Sequence, residues 1–456
     1  MMRLARLALI LAAALLVGAP AVPTTAEPID GSSPAAELTA AQKANVHVLD
    51  GVLEAVRKQF YDRDFCGLKL ADLRAKYLDK VTASKPGQPL HAVLNAMIAE
   101  FKVSHFVLVE DDVYNTYFAP EFNNTFSARP GFEIARIGGE YFVAALTHGG
   151  AAEKAGVLRG DRIVKVNGEE IANSELLVDG GTDPGIPGGQ HLVLRVPDTR
   201  DPVLKLDIQR RRTDKALKII EIKPTSINQI MATRDSVAVI EHKGKKLGYI
   251  RLWHVLHEAI AQTLSAAIRK DWKDCDGLIL DLRGRGGNVN VMNACFEPFG
   301  APPPQRDRRG FFRPQRFGMP KWNKPVVALT DSGSRSAKEV YAHNWKYLEI
   351  GPIVGETTAG AVLGSNFARM PDNSQLLLPV MNVQTLTYGN QQLEGSGVVP
   401  THPIKDLVAY AEGGDIIKET GIKVLMGEIK KRPAKKPEPE PQPVEPEDTP
   451  EEQFSR

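Results

Sequence analysis

Residues 324–351 read KPVVALTDSGSRSAKEVYAHNWKYLEIG and contain the transitions that decide the fold. The apolar run up to Thr330 has the length of a buried strand, a polar turn follows it, and the residues after the turn have helical spacing. A similar unit lies upstream, where HEAIAQTLSAAIRKDW predicts a helix and DGLILDLRG (276–284) predicts a buried strand. Alternating strands and helices predict an α/β domain with a substantially parallel sheet, over residues 214–412.

The turn within this stretch, DSGSRSAKE (331–339), raises the question of whether one of its serines attacks a substrate. Ser336 and Glu339 match the Ser-x-x-Glu capping box, in which both side chains satisfy backbone donors at the start of a helix. A serine at a strand-to-helix turn also suits a nucleophile, because the amides at the helix start point toward developing negative charge. These nine residues alone leave both interpretations open.

Composition narrows the class of partner. The chain has 456 residues, 43% of them hydrophobic and 25% charged, which is ordinary for a globular protein of two or three domains. Its net charge is only +2, so the sequence predicts no nucleic-acid partner. Partners must therefore be inferred from sites rather than from overall charge.

Both ends of the chain differ from the middle. Arg3 and Arg6 precede a short apolar run and then small residues, which predicts a signal peptide over residues 1–26. The run is shorter than the roughly 20 residues that span a bilayer, so we expect an exported protein, periplasmic or secreted, with no stable membrane span after cleavage. At the other end we predict a helix over 413–431 and a disordered tail rich in Pro, Glu and Lys over 432–456.

The three cysteines, Cys66, Cys275 and Cys295, are too few and too widely spaced for a disulfide framework or a zinc site. A bridge between Cys275 and Cys295 is compatible with an oxidising compartment. The sequence favours buried free thiols instead.

The region 27–125 is predicted to be helical. In PLHAVLNAMIAEFKVSHFVLV (89–109) apolar residues recur at three-four spacing and form one face, which comprises Leu90, Val93, Leu94, Met97, Ile98 and Phe101. Ser104 and His105 follow, at the junction between this helix and an apolar, strand-like run.

A β-rich segment with many glycines, residues 128–213, follows the helical region. Within it, GGAAEKAGVLRGDRIVKVNGEEI (149–171) resembles the PDZ domain, which binds an extended chain by strand addition. The resemblance implies a PDZ ligand as a partner. However, DGGTDPGIPGG (179–189) predicts that the helix lining the usual peptide groove is short or missing.

Several blocks then occur in a characteristic order: GYIRL, GLILDLRGRGG, VVALTDSGSRSAKE, IVGETTAG and LEGSGVVPTHPI. With the helical region and the PDZ-like segment, they resemble the C-terminal processing, or tail-specific, serine peptidases over roughly residues 45 to 410. The resemblance implies a core of clpP-crotonase type and no metal or organic cofactor. It assigns the nucleophile to Ser336 rather than Ser334, and the oxyanion donors to the backbone amides of Gly287, with Gly286 as the neighbouring alternative, and Ala337.

One departure from the family pattern concerns the catalytic base. Many members pair the serine with a lysine after the Gly-Glu-x-Thr-x-Gly block, but GETTAGAVLG has Ala361 there, and alanine cannot accept a proton. The tricorn-core-like branch of the family uses a Ser-His pair from the helical region and a distant glutamate. The resemblance therefore implies that His105 is the base, and that Ser104 and Glu394 orient its imidazole.

These inferences predict an exported serine endopeptidase that cleaves unstructured or C-terminal peptide segments through a Ser-His-Ser-Glu constellation and an acyl-enzyme. Its partner would be a peptide or protein substrate. The alternative is a catalytically inactive, peptidase-like PDZ scaffold that binds peptides or protein partners. Binding of a small apolar ligand is a third possibility, which has no sequence feature of its own.

Overall fold

The computed structural model describes residues 38–181, 192–300 and 317–431. The predicted signal peptide, most of the interrupted PDZ groove segment and the predicted tail lie outside these residues. Within the described ranges, no helix is both long enough and apolar enough to cross a membrane.

The N-terminal region is helical, as predicted. Thr39 and Gln42 form a capping box that starts the first helix. The predicted apolar face of the third helix is confirmed, since its residues lie in or against one buried cluster with the other helices. The elements are α1 (Ala40–Gln59), α2 (Leu70–Ala83), α3 (Gln88–Ile98), β1 (Val107–Val109), α4 (Asp111–Tyr117), α5 (Ala119–Asn123) and β2 (Ser127–Arg129).

The β-rich segment forms a separate antiparallel sheet around its own apolar cluster. Its elements are β3 (Phe132–Ile137), β4 (Glu140–Leu146), α6 (Ala151–Lys154), β5 (Arg162–Val166), β6 (Glu169–Glu170), β7 (Leu177–Asp179), β8 (Leu192–Leu194), β9 (Leu204–Gln209) and β10 (Lys218–Ile222). The strand order is β10-β9-β5-β4-β3-β8-β7, with β6 paired to β5. A further strand, β11 (Thr225–Ile227), pairs with β2 and leads into the core.

The α/β core contains a six-stranded sheet, and the expectation of a mostly parallel sheet is confirmed. The order is β12-β13-β14-β15-β16-β19, in which only the β12 and β13 pair is antiparallel. The elements are α7 (Gln229–Asp235), β12 (Ala238–His242), β13 (Lys245–Arg251), α8 (Ala259–Arg269), β14 (Gly277–Asp281), α9 (Val289–Phe296), β15 (Val326–Thr330), α10 (Ala337–Tyr347), β16 (Ile353–Gly355), β17 (Gly364–Arg369), β18 (Gln375–Met381), β19 (His402–Pro403) and α11 (Ile416–Lys431).

The central strands are apolar on both faces because helices cover both sides of the sheet. Leu278 and Leu280 of β14 lie in the cluster shared with α8, α9 and α10. Ile279, between them, lies in the opposite cluster with Ile417 and Leu425 of α11. This alternation explains why DGLILDLRG reads as a continuous apolar run.

A three-stranded antiparallel sheet joins the N-terminal region to the last third of the chain. Its order is β1-β18-β17, and Val107 of β1 pairs with Leu377 of β18. The residues just before β1, including Ser104 and His105, are therefore held against the core.

All three cysteines are free thiols. Cys275 and Cys295 are buried, as predicted, and no bridge joins them, whereas Cys66 is exposed.

Candidate active site

Ser334 and Ser336, in the turn between β15 and α10, have different surroundings. Ser334 is fully buried, and its hydroxyl lies 3.0 Å from the Leu282 carbonyl oxygen and 3.0 Å from Oδ1 of Asp331. It also accepts the N–H of Asp331. A hydroxyl with this many backbone and carboxylate partners holds the turn together, which is consistent with the assignment of the nucleophile to Ser336.

Ser336 has an unusual backbone conformation, with φ 58° and ψ −132° at the position before α10. Such values are uncommon for a residue with a Cβ and cost on the order of 1–3 kcal/mol. The capping-box interpretation is wrong, because the Ser336 side chain makes no capping hydrogen bond. The backbone N–H of Ser336 donates to the carbonyl oxygen of Ala361 at 2.7 Å. The strained backbone is therefore fixed by a contact far away in sequence.

Glu339, the other half of the supposed capping box, also points elsewhere. Its buried carboxylate accepts the Thr358 hydroxyl at 2.5 Å, the Gly360 N–H at 2.6 Å and the Ala361 N–H at 2.7 Å. Burial raises the pKa of Glu339 to about 7, although these hydrogen bonds act in the opposite direction. Glu339 thus anchors the segment whose Ala361 carbonyl holds Ser336.

Changing Glu339 to glutamine should flatten the pH dependence of stability. Because folding raises the pKa of this carboxyl, the folded state binds the proton more tightly than the unfolded state. Its stabilising contribution is complete below the unfolded pKa and is lost as pH rises toward 7. We expect the wild-type free energy of unfolding, measured in urea, to fall by on the order of 2 kcal/mol more than that of Glu339→Gln between about pH 5 and pH 7.5.

Glu349, an exposed glutamate beyond the other end of α10, provides the matched control. Glu349→Gln should keep the wild-type pH dependence. Equal slopes for the wild type and Glu339→Gln would contradict the raised pKa.

Ser104, His105 and Glu394 lie together although Glu394 is 290 positions from Ser104. The Ser104 hydroxyl lies 2.9 Å from Nδ1 of His105 and donates to Oε2 of Glu394 at 3.0 Å. The Ser104 N–H also donates to Oε1 of Glu394 at 2.7 Å. Since the single hydroxyl hydrogen goes to the carboxylate, Nδ1 must carry the imidazole proton of neutral His105. Nε2 is then the basic nitrogen of the ring.

A short segment, residues 361–363, connects this trio to Ser336. The Ala361 carbonyl accepts the Ser336 N–H, while the next two N–H groups point toward the trio. Val362 donates to Oε2 of Glu394 at 2.8 Å, and Leu363 donates to the Ser104 hydroxyl at 3.4 Å. The position at which a lysine would stand in a dyad enzyme is thus occupied by a buried alanine whose backbone joins both halves of the candidate site.

The glycine loop, residues 283–288, packs directly against the start of α10. A Cβ at Gly286 would lie 2.5 Å from the Cβ of Ser336, so only glycine fits there. Gly287 forms a parallel bridge with Val255, whose N–H donates to the Gly286 carbonyl at 3.0 Å. Ala337 is the first residue of α10. The three predicted oxyanion residues therefore belong to the two segments that meet at Ser336.

Sequence reasoning missed Glu339 as an anchor and the amides of Val362 and Leu363 as donors. The Ser-x-x-Glu spacing drew attention to Glu339 but assigned it a local partner. No sequence signal marks a backbone amide, because its role depends only on where the chain passes.

Comparison with known proteins defines the class. Residues 246–404 match the profile of Peptidase family S41, and residues 142–176 match that of the PDZ domain. The chain is thus a serine-type peptidase with an S41 domain and a PDZ domain, as the order of its sequence blocks predicted.

Named relatives agree with this class. The carboxy-terminal processing protease CtpB of Bacillus subtilis is 25% identical over 352 residues, which cover 75% of this chain and 68% of that protein. The chloroplastic C-terminal processing peptidase of Tetradesmus obliquus is 24% identical over 355 residues, covering 73% and 71%. Mature CPAF shares the fold, with a TM-score of 0.53, 12% identity and coverage of 85% of this chain and 97% of that one.

Proposed function

We propose that this chain is an exported serine endopeptidase that cleaves unstructured or C-terminal peptide segments by way of an acyl-enzyme. The observation that carries the proposal is the hydrogen-bonded Ser104, His105 and Glu394 trio, tied through residues 361–363 to the strained Ser336. Ser336 combines a strained backbone with a hydroxyl that makes no capping hydrogen bond. Strained backbone of this kind is typical of functional sites.

Each member of the site has a role in this mechanism. Nε2 of His105 takes the proton of Ser336, and the alkoxide attacks the scissile carbonyl. Ser104 links Glu394 to the imidazole and orients the ring, since its hydroxyl accepts a hydrogen bond from Nδ1 of His105 and donates one to the Glu394 carboxylate. Amides of Gly287 or Gly286 and of Ala337 stabilise the oxyanion. Protonated His105 then donates to the leaving amine, and water resolves the acyl-enzyme.

The substrate class rests on the PDZ domain and on the relatives. PDZ domains bind extended chains, and two of the relatives are named for processing at carboxyl termini. The tricorn-core-like type of base is supported by Ala361 in the lysine position together with the presence of Ser104 and His105. Export rests on the signal-like sequence of residues 1–26.

A fluorophosphonate probe tests the activity on the purified mature protein. We expect covalent labelling, located on Ser336 by peptide mass analysis, together with hydrolysis of unstructured casein. A well-folded wild type that neither labels nor hydrolyses would support the inactive scaffold instead.

A further inference from the structure

Lys338 is a buried lysine two residues after Ser336. Its side chain is wholly buried, with an exposed fraction of 0%. Its Nζ donates to the carbonyl oxygen of Trp253 at 2.6 Å and to that of Arg283 at 3.1 Å. Lysine is almost never buried this deeply without a specific arrangement of partners.

One acceptor belongs to the glycine loop, and the other belongs to the segment that pairs with the loop. Arg283 is the first residue of the loop. Trp253 lies two residues before Val255, which bonds to Gly286 and accepts the N–H of Asn288 at 2.6 Å. Lys338 therefore connects the start of α10 to the first residue of the glycine loop and to the segment around Val255, which pairs with the last residues of that loop.

The electrostatic surroundings do not favour a lysine for stability. Burial lowers the pKa of Lys338 to about 7, and Arg251 acts in the same direction. The titratable and charged groups that interact electrostatically with the amine are Arg251, Asp331, Asp281, Glu133, His254 and Cys295. A neutral amine still has two N–H donors for two carbonyls, so the cross-link persists in either protonation state.

An apolar side chain of similar length would fill the same space without this desolvation cost. What it would not supply is the pair of donors that fixes the glycine loop against α10. A displacement of about 1 Å in a catalytic group can reduce the rate on the order of 100-fold. The unusual residue type is therefore better explained by the geometry that it holds than by packing.

We propose that Lys338 is a positioning residue that cross-links the helix after Ser336 to the glycine loop and to the segment paired with that loop, and so aligns the oxyanion donors with the nucleophile. This role rests on the function proposed above. It differs from that of a general base, because Nζ donates its hydrogen bonds to the backbone carbonyls of Trp253 and Arg283.

Lys338→Met tests the proposal on the full mature chain, because it keeps the length of the side chain and removes the donors. We expect kcat for casein hydrolysis and the rate of fluorophosphonate labelling to fall about 10-fold or more, with KM changed less than about threefold. A merely structural change would also lower the apparent kcat at unchanged KM, because fewer molecules would be folded, so kcat is calculated per folded enzyme. Thermal unfolding in parallel measures the folded fraction.

Lys346 gives the matched control, since its exposed Nζ also donates to a carbonyl, that of Val399 at 2.9 Å, from the same helix. Lys346→Met should leave kcat within about twofold of the wild type. If Lys338→Met does not fold, Lys338→Gln decides the matter, because its polar amide suits the same surroundings but its shorter side chain cannot reach both carbonyls: reduced kcat at unchanged KM supports the role.

Wild-type kcat and labelling rate in whichever Lys338 variant folds would overturn the inference and leave the proposed function intact. Absence of labelling in the wild type would instead overturn the proposed function. The two failures are therefore distinguishable in one set of measurements.

Discussion

Ser336→Ala is expected to abolish hydrolysis, lowering kcat by roughly 1,000-fold or more, and to eliminate fluorophosphonate labelling. The reason is that the proposed mechanism makes the Ser336 hydroxyl the nucleophile, and alanine has no hydroxyl. The protein should remain folded with nearly unchanged stability, because the Ser336 hydroxyl makes no capping hydrogen bond that alanine would lose. Labelling, casein hydrolysis and thermal unfolding measure these effects together.

Ser336→Gly separates strain from chemistry. Glycine adopts φ near 58° without steric cost, so this variant should be equally inactive but more stable than Ser336→Ala, by on the order of 1 kcal/mol. Ser334→Ala is the matched control: it should lose stability because of the buried contacts of Ser334, yet keep labelling of the folded fraction. Labelling that survives in Ser336→Ala would move the nucleophile elsewhere.

His105→Ala is expected to reduce kcat on the order of 1,000-fold, with little change in KM for casein. In the proposed mechanism the imidazole takes the proton of Ser336, and Lys338 does not replace it because Nζ of Lys338 donates to backbone carbonyls. Glu394→Gln should reduce kcat less than His105→Ala, because the glutamine oxygen can still accept one of the hydrogen bonds from Ser104. Steady-state kinetics and probe labelling of purified variants measure both.

His91 provides the control for this experiment. It lies in the same N-terminal helical region and also pairs with a carboxylate, Asp372, at 2.7 Å from its Nε2. His91→Ala should weaken the contact between α3 and the β17 and β18 hairpin without removing activity from the folded protein. If His91→Ala and His105→Ala reduced kcat equally, the effect of His105 would be structural rather than catalytic.

Much of the fold could be predicted from local patterns. The three-four spacing in α3 predicted a helix with one buried face, and the apolar runs of β14 and β15 predicted buried strands. The structure confirms all three predictions. The alternation of strands and helices also predicted the α/β class, and residues 149–171 predicted the PDZ domain. These features can be predicted because burial of one face of a helix or strand leaves a regular repeat of apolar residues that are close together in sequence.

The site was predicted less completely. Resemblance named Ser336, Ser104, His105 and Glu394 as candidates, and the structure brings the last three into one hydrogen-bonded group. Their catalytic roles and those of the oxyanion amides stay predictions.

The Ser-x-x-Glu motif shows why local reasoning stops where it does. Local sequence was enough to predict that a helix begins after Ser336, but it paired Ser336 and Glu339 with one another. The folded chain instead bonds the Ser336 N–H to the Ala361 carbonyl, and Glu339 accepts the N–H groups of Gly360 and Ala361. Capping is a contact between neighbours in sequence, whereas these hydrogen bonds join residues more than twenty positions apart, and their formation depends on the whole chain having folded around them.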